Sequence, residues 1–109
     1  MKDHRRPIRP DRLRRIPPGF SWIDREILHR GILARLSQEE ILLYFFLVLV
    51  AGPDGTSFWS YQRIGKYLKL TADEICAAAR SLIQRDLVAF EYPTFQVLDI
   101  PEEPERGEP

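Results

Sequence analysis

Ser37-Gln38-Glu39-Glu40-Ile41-Leu42-Leu43-Tyr44-Phe45-Phe46-Leu47-Val48-Leu49-Val50-Ala51-Gly52-Pro53 is the stretch that decides how the rest of the chain is read. From Ile41 to Ala51 eleven residues pass without a charge. Hydrophobic period therefore cannot separate helix from strand, and the ends must do so. Ser37 is placed to accept from the backbone N–H three residues on, and Glu40 to reach back to the N–H of Ser37. That is a capping box, with carboxylates at the positive end of a helix dipole. At the other end Gly52 is expected in the left-handed conformation, and Pro53 cannot continue a helix. The spacing predicts one helix over about 37–51, apolar on all faces and therefore covered on all sides. It falls short of the roughly 20 apolar residues that span a bilayer.

The 109 residues suit one small domain with tails. A unit of that size has room for one compact core and not for a deep catalytic cleft. The formal charge is zero but unevenly spread. Residues 1–19 hold seven basic groups against two acidic ones, a charge of +5. Residues 101–109 carry −3 and the body between them −2. The chain is thus expected to comprise a flexible basic Arg/Pro-rich arm (1–19), a folded domain (20–100) and a disordered acidic tail (101–109). Cys76 is the only cysteine, which rules out an internal disulfide and a multi-cysteine zinc site. It reads as a small packed hydrophobe. His4 and His29 have no partner at ligand spacing. No metal or cofactor is expected. No apolar stretch follows the arginine-rich start, so no secretory leader is expected and a cytoplasmic location fits.

Phe20-Ser21-Trp22-Ile23 opens the domain as an extended segment, with Phe20 and Trp22 on one side. Asp24 is expected to cap a short helix to about Arg30, with Ile27 and Leu28 facing inward and Gly31 as its end. Leu36 stands where it would staple against Ile41. After the turn Gly52-Pro53-Asp54-Gly55, Thr56 to Trp59 reads as a brief strand. Ser60 caps a helix over about 61–69 with Tyr61, Ile64 and Leu68 inward, and with Arg63, Lys66 and Lys69 at steps of three outside. Thr71 with Glu74 repeats the capping box and starts a third long helix over about 72–86. Ile75, Ala78, Ala79, Leu82 and Ile83 face inward there; Asp73, Ala77, Arg80, Ser81 and Gln84 lie opposite. Leu87–Glu91 and Phe95–Ile100 form a hairpin around Tyr92-Pro93-Thr94.

The fold class expected is α+β, mostly helical: three core helices, a short strand and a C-terminal two-stranded wing, with an extra short helix at the N-terminal side. Phe20-Ser21-Trp22-Ile23, Leu36–Glu40 running into Leu43-Tyr44, Gly55 before Trp59-Ser60, Ile64-Gly65 with Leu68, and Ala79, Leu82-Ile83 and Asp86-Leu87-Val88 carry a resemblance. Over about 20–100 the chain resembles the winged helix-turn-helix domains at the N-termini of plasmid replication initiators and of DnaD-like primosomal proteins.

The resemblance implies double-stranded DNA as the partner, with the third helix in the major groove and the hairpin on the backbone. The candidate contacts are Arg5, Arg6, Arg9, Arg12, Arg14 and Arg15 in the arm, Arg63, Lys66 and Lys69 on the second helix, and Arg80, Ser81 and Gln84 on the third. Arm arginines suit the minor groove beside a helix in the major groove. Transcription regulation, replication initiation and accessory work for a mobile element are the roles this implies. The alternative is a protein-interaction module without DNA binding, favoured by Asp73 and Glu74 at the start of the third helix and by the uncharged wing tip. A homodimer is left open and no membrane is expected. No glycine-rich phosphate loop or nucleophile beside a histidine points to an enzyme.

Overall fold

The computed structural model describes residues 8–12 and 19–101. Among them α1 (Glu26–His29) and α2 (Ile32–Arg35) are single turns, followed by α3 (Gln38–Val50), β1 (Thr56–Ser57), α4 (Tyr61–Leu68), α5 (Ala72–Gln84), β2 (Val88–Glu91) and β3 (Thr94–Val97). The three strands form one antiparallel sheet in the order β1-β3-β2. The result is an α+β fold with the helices packed against one another and against the small sheet. Among the described residues no helix is long and apolar enough to cross a membrane.

The three main helices start where their caps dictate. Ser37 accepts from the N–H of Glu40 while a Glu40 carboxylate oxygen accepts from the N–H of Ser37, at 3.1 and 2.9 Å. Thr71 and Glu74 repeat this at the same two distances, and Ser60 accepts from the N–H of Arg63. Each cap satisfies N–H groups that the helix itself cannot.

Around α3 the core is made of Leu43, Phe46 and Leu47 from that helix, Ile64 from α4, Ile75 and Leu82 from α5, and Leu87, Val88 and Phe95 from the hairpin. Phe46, Trp59 and Tyr67 stack mutually, with centroids 5.2–5.8 Å apart, and fix α4 beside α3. On the sheet side Tyr61, Phe90 and Phe95 form a second aromatic group.

Two glycines are held by close approach. At Gly65 an added Cβ would lie 2.3 Å from the carbonyl oxygen of Leu70, whose N–H donates to Gly65. That contact makes the turn between α4 and α5 tight. Gly55 has φ +85°, and an added Cβ would lie 2.8 Å from the carbonyl oxygen of Val97.

Several expectations are corrected. α3 is not covered on all sides: Leu42, Phe45 and Leu49 are exposed, because α5, α4 and the sheet wrap only the remaining circumference. Gly52 does not take the left-handed position; Ala51 leaves the helix in extended backbone, and the positive φ falls at Gly55. Phe20 to Ile23 lies in no strand or helix, and Phe20 and Trp22 are both exposed. Asp24 does accept from the N–H of Glu26, but α1 is one turn long and Leu28 points to solvent. Gly31 then reverses the backbone at φ +74° into a second turn, α2, so two short helices stand where one is expected. β1 stops at Ser57, leaving Phe58 and Trp59 outside it, and β3 begins at Thr94 and ends at Val97. Ile83 is exposed, and the last turn of α5 meets the core through Leu82 instead.

Truncating the covered side of α3 removes packed volume, so Leu43→Ala and Leu47→Ala should each cost about 2–5 kcal/mol in urea unfolding. Leu49→Ala, on the open side, should cost under about 1 kcal/mol. Equal losses at all three positions would mean that α3 has no open side.

Candidate functional site

The outward row of α5 is built by helix geometry. Asp73, Ala77, Arg80 and Gln84 recur at steps of four and three, so they share one face, and all four are exposed. The opposite face is spent on the core through Ile75, Ala78, Ala79 and Leu82. Nothing among the described elements covers the outward row. Arg80 lies beside Tyr61, whose hydroxyl is pushed above its ordinary pKa by burial and by the nearby Cys76 thiol, with Arg80 pulling the other way. Tyr61 packs on Phe90, and Phe90 on Tyr92 at the hairpin tip, so a strip of aromatic surface runs from Tyr61, near Arg80, to the tip of the hairpin. Tyr61 reads in the sequence only as a core residue; its i, i+3, i+7 spacing with Ile64 and Leu68 hides its second role.

Ser81 sits on the other flank. It is half-buried, and its hydroxyl lies near enough to the Glu40 carboxyl at the start of α3 to lower its pKa. A rotation of 100° per residue turns it from the Arg80–Gln84 row toward α3. Glu40 also accepts from the N–H of Ser37 and lies 3.8 Å from the Arg85 guanidinium. Burial pushes the Glu40 carboxyl up, yet Ser81, Ser37 and Arg85 together outweigh it and hold it below its ordinary pKa. Arg85 additionally donates to the carbonyl of Arg35 at 3.1 Å. The capping carboxylate thereby ties α3, α5 and the end of α2 together.

On α4, Arg63 and Lys66 are exposed on the outward side, and the Arg63 guanidinium lies over the Trp59 ring at 4.3 Å from its centroid. The step of three breaks at Lys69. Its φ of +62° makes it the left-handed cap of α4, so it lies on the turn toward α5 and not on the helical row. In the arm, Arg9 and Arg12 bracket a 3-10 turn, Pro10–Arg12. Arg9 is paired with Asp11 at 2.8 Å in full solvent. The pair raises the Arg9 pKa and lowers that of Asp11. An exposed pair of this kind opens readily to a competing anion. Arg5, Arg6, Arg14 and Arg15 lie outside the described residues, as does the acidic tail beyond Pro101.

A groove of about 570 Å³ runs between residues 19–24, the end of α3 and residues 97–100. Two of the carboxylates bordering it have local tasks: Asp24 accepts from the N–H of Glu26 just before α1, whose N-cap is Arg25, and Asp54 accepts from the N–H and hydroxyl of Thr56. Among the described residues no group of three or more His, Cys, Asp or Glu side chains is placed to hold a metal ion. Compared with protein-family models, curated proteins and solved structures, the chain matches none.

The Glu40 node has a pH signature. A carboxyl held below its ordinary pKa contributes stability in full above that ordinary value and loses it as pH falls through the lowered one. Glu40→Gln, which keeps the cap but not the charge, should cost about 1 kcal/mol at neutral pH. The gap from wild type should close as pH drops below the ordinary glutamate range. Arg80→Ala and Gln84→Ala, on the outward row of α5, should stay within about 0.5 kcal/mol. A pH-independent Glu40→Gln gap would sink the assignment.

Proposed function

We propose that the chain is a small winged-helix protein that binds double-stranded DNA, with α5 as the recognition helix, β2 and β3 as the wing, and the arginine arm supplying most of the affinity. The observation that carries this reading is the uncovered outward row of α5, with Arg80 and Gln84 one turn apart, following α4 across a tight turn and preceding the hairpin. Arg and Gln are side chains whose donor and acceptor patterns match base edges in the major groove. Arg63 and Lys66 on α4, with Lys69 on the turn, supply charge for phosphates on either side. The helix order, the β1-β3-β2 sheet and the hairpin support the winged-helix reading. Regulation of transcription, initiation of replication and service to a mobile element are the roles that suit such a module, in a cytoplasmic setting.

The second reading, a protein-interaction module without DNA binding, is favoured by Asp73 and Glu74 at the exposed start of α5. Carboxylates repel phosphates, and the wing tip Tyr92-Pro93-Thr94 offers no cation to offset them.

The arm separates the two. Its charge is +5 against −2 for the body, and each phosphate neutralised adds about 0.9 to the log–log salt slope. Deleting residues 1–18 should leave circular dichroism and melting unchanged, weaken duplex binding at least about tenfold at low salt, and flatten the slope by several units. Replacing Arg80 and Gln84 by Ala should reduce sequence preference while the fold is kept. Unchanged affinity after the deletion would move the binding surface to the body. No duplex binding by the full chain at low salt would discard DNA and favour the protein-interaction reading.

A further inference from the structure

The one side of α3 left open is neither small nor polar. Leu42, Phe45 and Leu49 are 40%, 51% and 55% exposed. Their i, i+3, i+7 spacing aligns them as a straight stripe. Beyond the C-terminal end of the stripe the hydroxyl of Ser21 donates to the carbonyl of Leu49, which holds residues 20–23 alongside the helix. Phe20, Trp22 and Ile23, which with Leu49 border the groove described above, are 52%, 73% and 42% exposed. The three aromatic side chains carry roughly 150–250 Å² of surface each and the three aliphatic ones somewhat less, so at these exposures the six residues present on the order of 500–600 Å² of apolar area. That is the upper end of what one patch on a monomer shows. Doubled across two copies it comes to about 1,000–1,200 Å², near the lower bound for a specific protein interface.

What it would accept follows from its sequence. None of the six residues is ionisable, so no charged partner is selected and none is repelled. Read from either end, the stripe is Leu-Phe-Leu. A two-fold interface sets the same patch against itself, with residue i on j and j on i, and an apolar patch without charge complements itself in this way. Two α3 helices laid antiparallel about an axis at Phe45 place Leu42 of one copy opposite Leu49 of the other, and the two Phe45 rings against each other. We infer that the Leu42–Phe45–Leu49 face of α3, extended by Phe20 and Trp22, is the interface of a two-fold homodimer of this chain. The pairing is independent of whatever α5 binds.

Sedimentation equilibrium of the full-length chain tests this. The wild type should convert from 12.8 kDa to twice that mass with a dissociation constant of about 1–100 µM. Phe45→Glu sets two carboxylates face to face on the axis and should raise that constant at least about a hundredfold, with the circular dichroism of wild type. A separate readout covers the case in which this variant does not fold. Cys76→Ala removes the only native cysteine. In that background Phe45→Cys should oxidise to a disulfide-linked dimer at least about tenfold faster than Gln62→Cys, placed on exposed α4. A wild type that stays monomeric at about 100 µM overturns the inference. So does a folded Phe45→Glu chain that still dimerises, or equal cross-linking at positions 45 and 62.

Discussion

The constraint on which everything else depends is that α3 carries more apolar surface than a domain of this size can cover. Fully burying one large aliphatic or aromatic side chain is worth about 1.5–3 kcal/mol, and a small domain is stable by only about 5–15 kcal/mol in total. α3 buries Leu43, Tyr44, Phe46, Leu47 and Val48, so the fold stands or falls with its packing. The other elements occupy its sides in turn: α5 along one, α4 with Trp59 on another, the sheet through β3 on a third. There is no further element of any length among the described residues. α1 and α2 are single turns and bury only Ile27 between them.

A helix with no charge along eleven residues gets its orientation from its ends. Glu40 supplies it. By accepting from the N–H of Ser37 and pairing with Arg85 at 3.8 Å, one carboxylate both closes the cap of α3 and ties it to the end of α5. The packing of α5 on α3 turns Ser81 inward and leaves Arg80 and Gln84 outward. The position of the outward row of α5 is therefore a consequence of how α3 begins. If α3 pairs with its counterpart in a second copy, two such rows would be related by a two-fold axis, the arrangement that reads palindromic half-sites on a duplex.

Helix starts were legible because their signal is local. Ser37/Glu40, Ser60 and Thr71/Glu74 act within one turn, and all three caps form as their spacing implies. The hairpin was legible for the same reason, with Tyr92-Pro93 between two β-branched and aromatic runs. What the sequence hid depends on distant contacts. Gly65 looks like an indifferent helix glycine until Leu70 folds back onto it. Lys69 matches a helical step of three, yet that turn requires its left-handed backbone. Ser81 lies opposite the core on α5 alone and turns to Glu40 only once α3 is in place. The open stripe was illegible on principle: in an unbroken apolar run every face reads alike, and only the count of available neighbours tells which stays uncovered. Of the contacts suggested for DNA, Arg80 and Gln84 form one row and Arg63 with Lys66 another, while no sequence rule foresaw the Arg63 guanidinium lying over Trp59.

Native-state hydrogen exchange along α3 tests the central claim most directly. The amides of Leu43, Tyr44, Leu47 and Val48 should exchange only through global unfolding, with an opening free energy equal to that from urea and the same denaturant dependence. The amides of α1 and α2 should open far more easily. Exchange of the α3 amides by local, denaturant-independent opening, while α4 or the sheet remains protected, would contradict the claim that this helix is what the domain is built around.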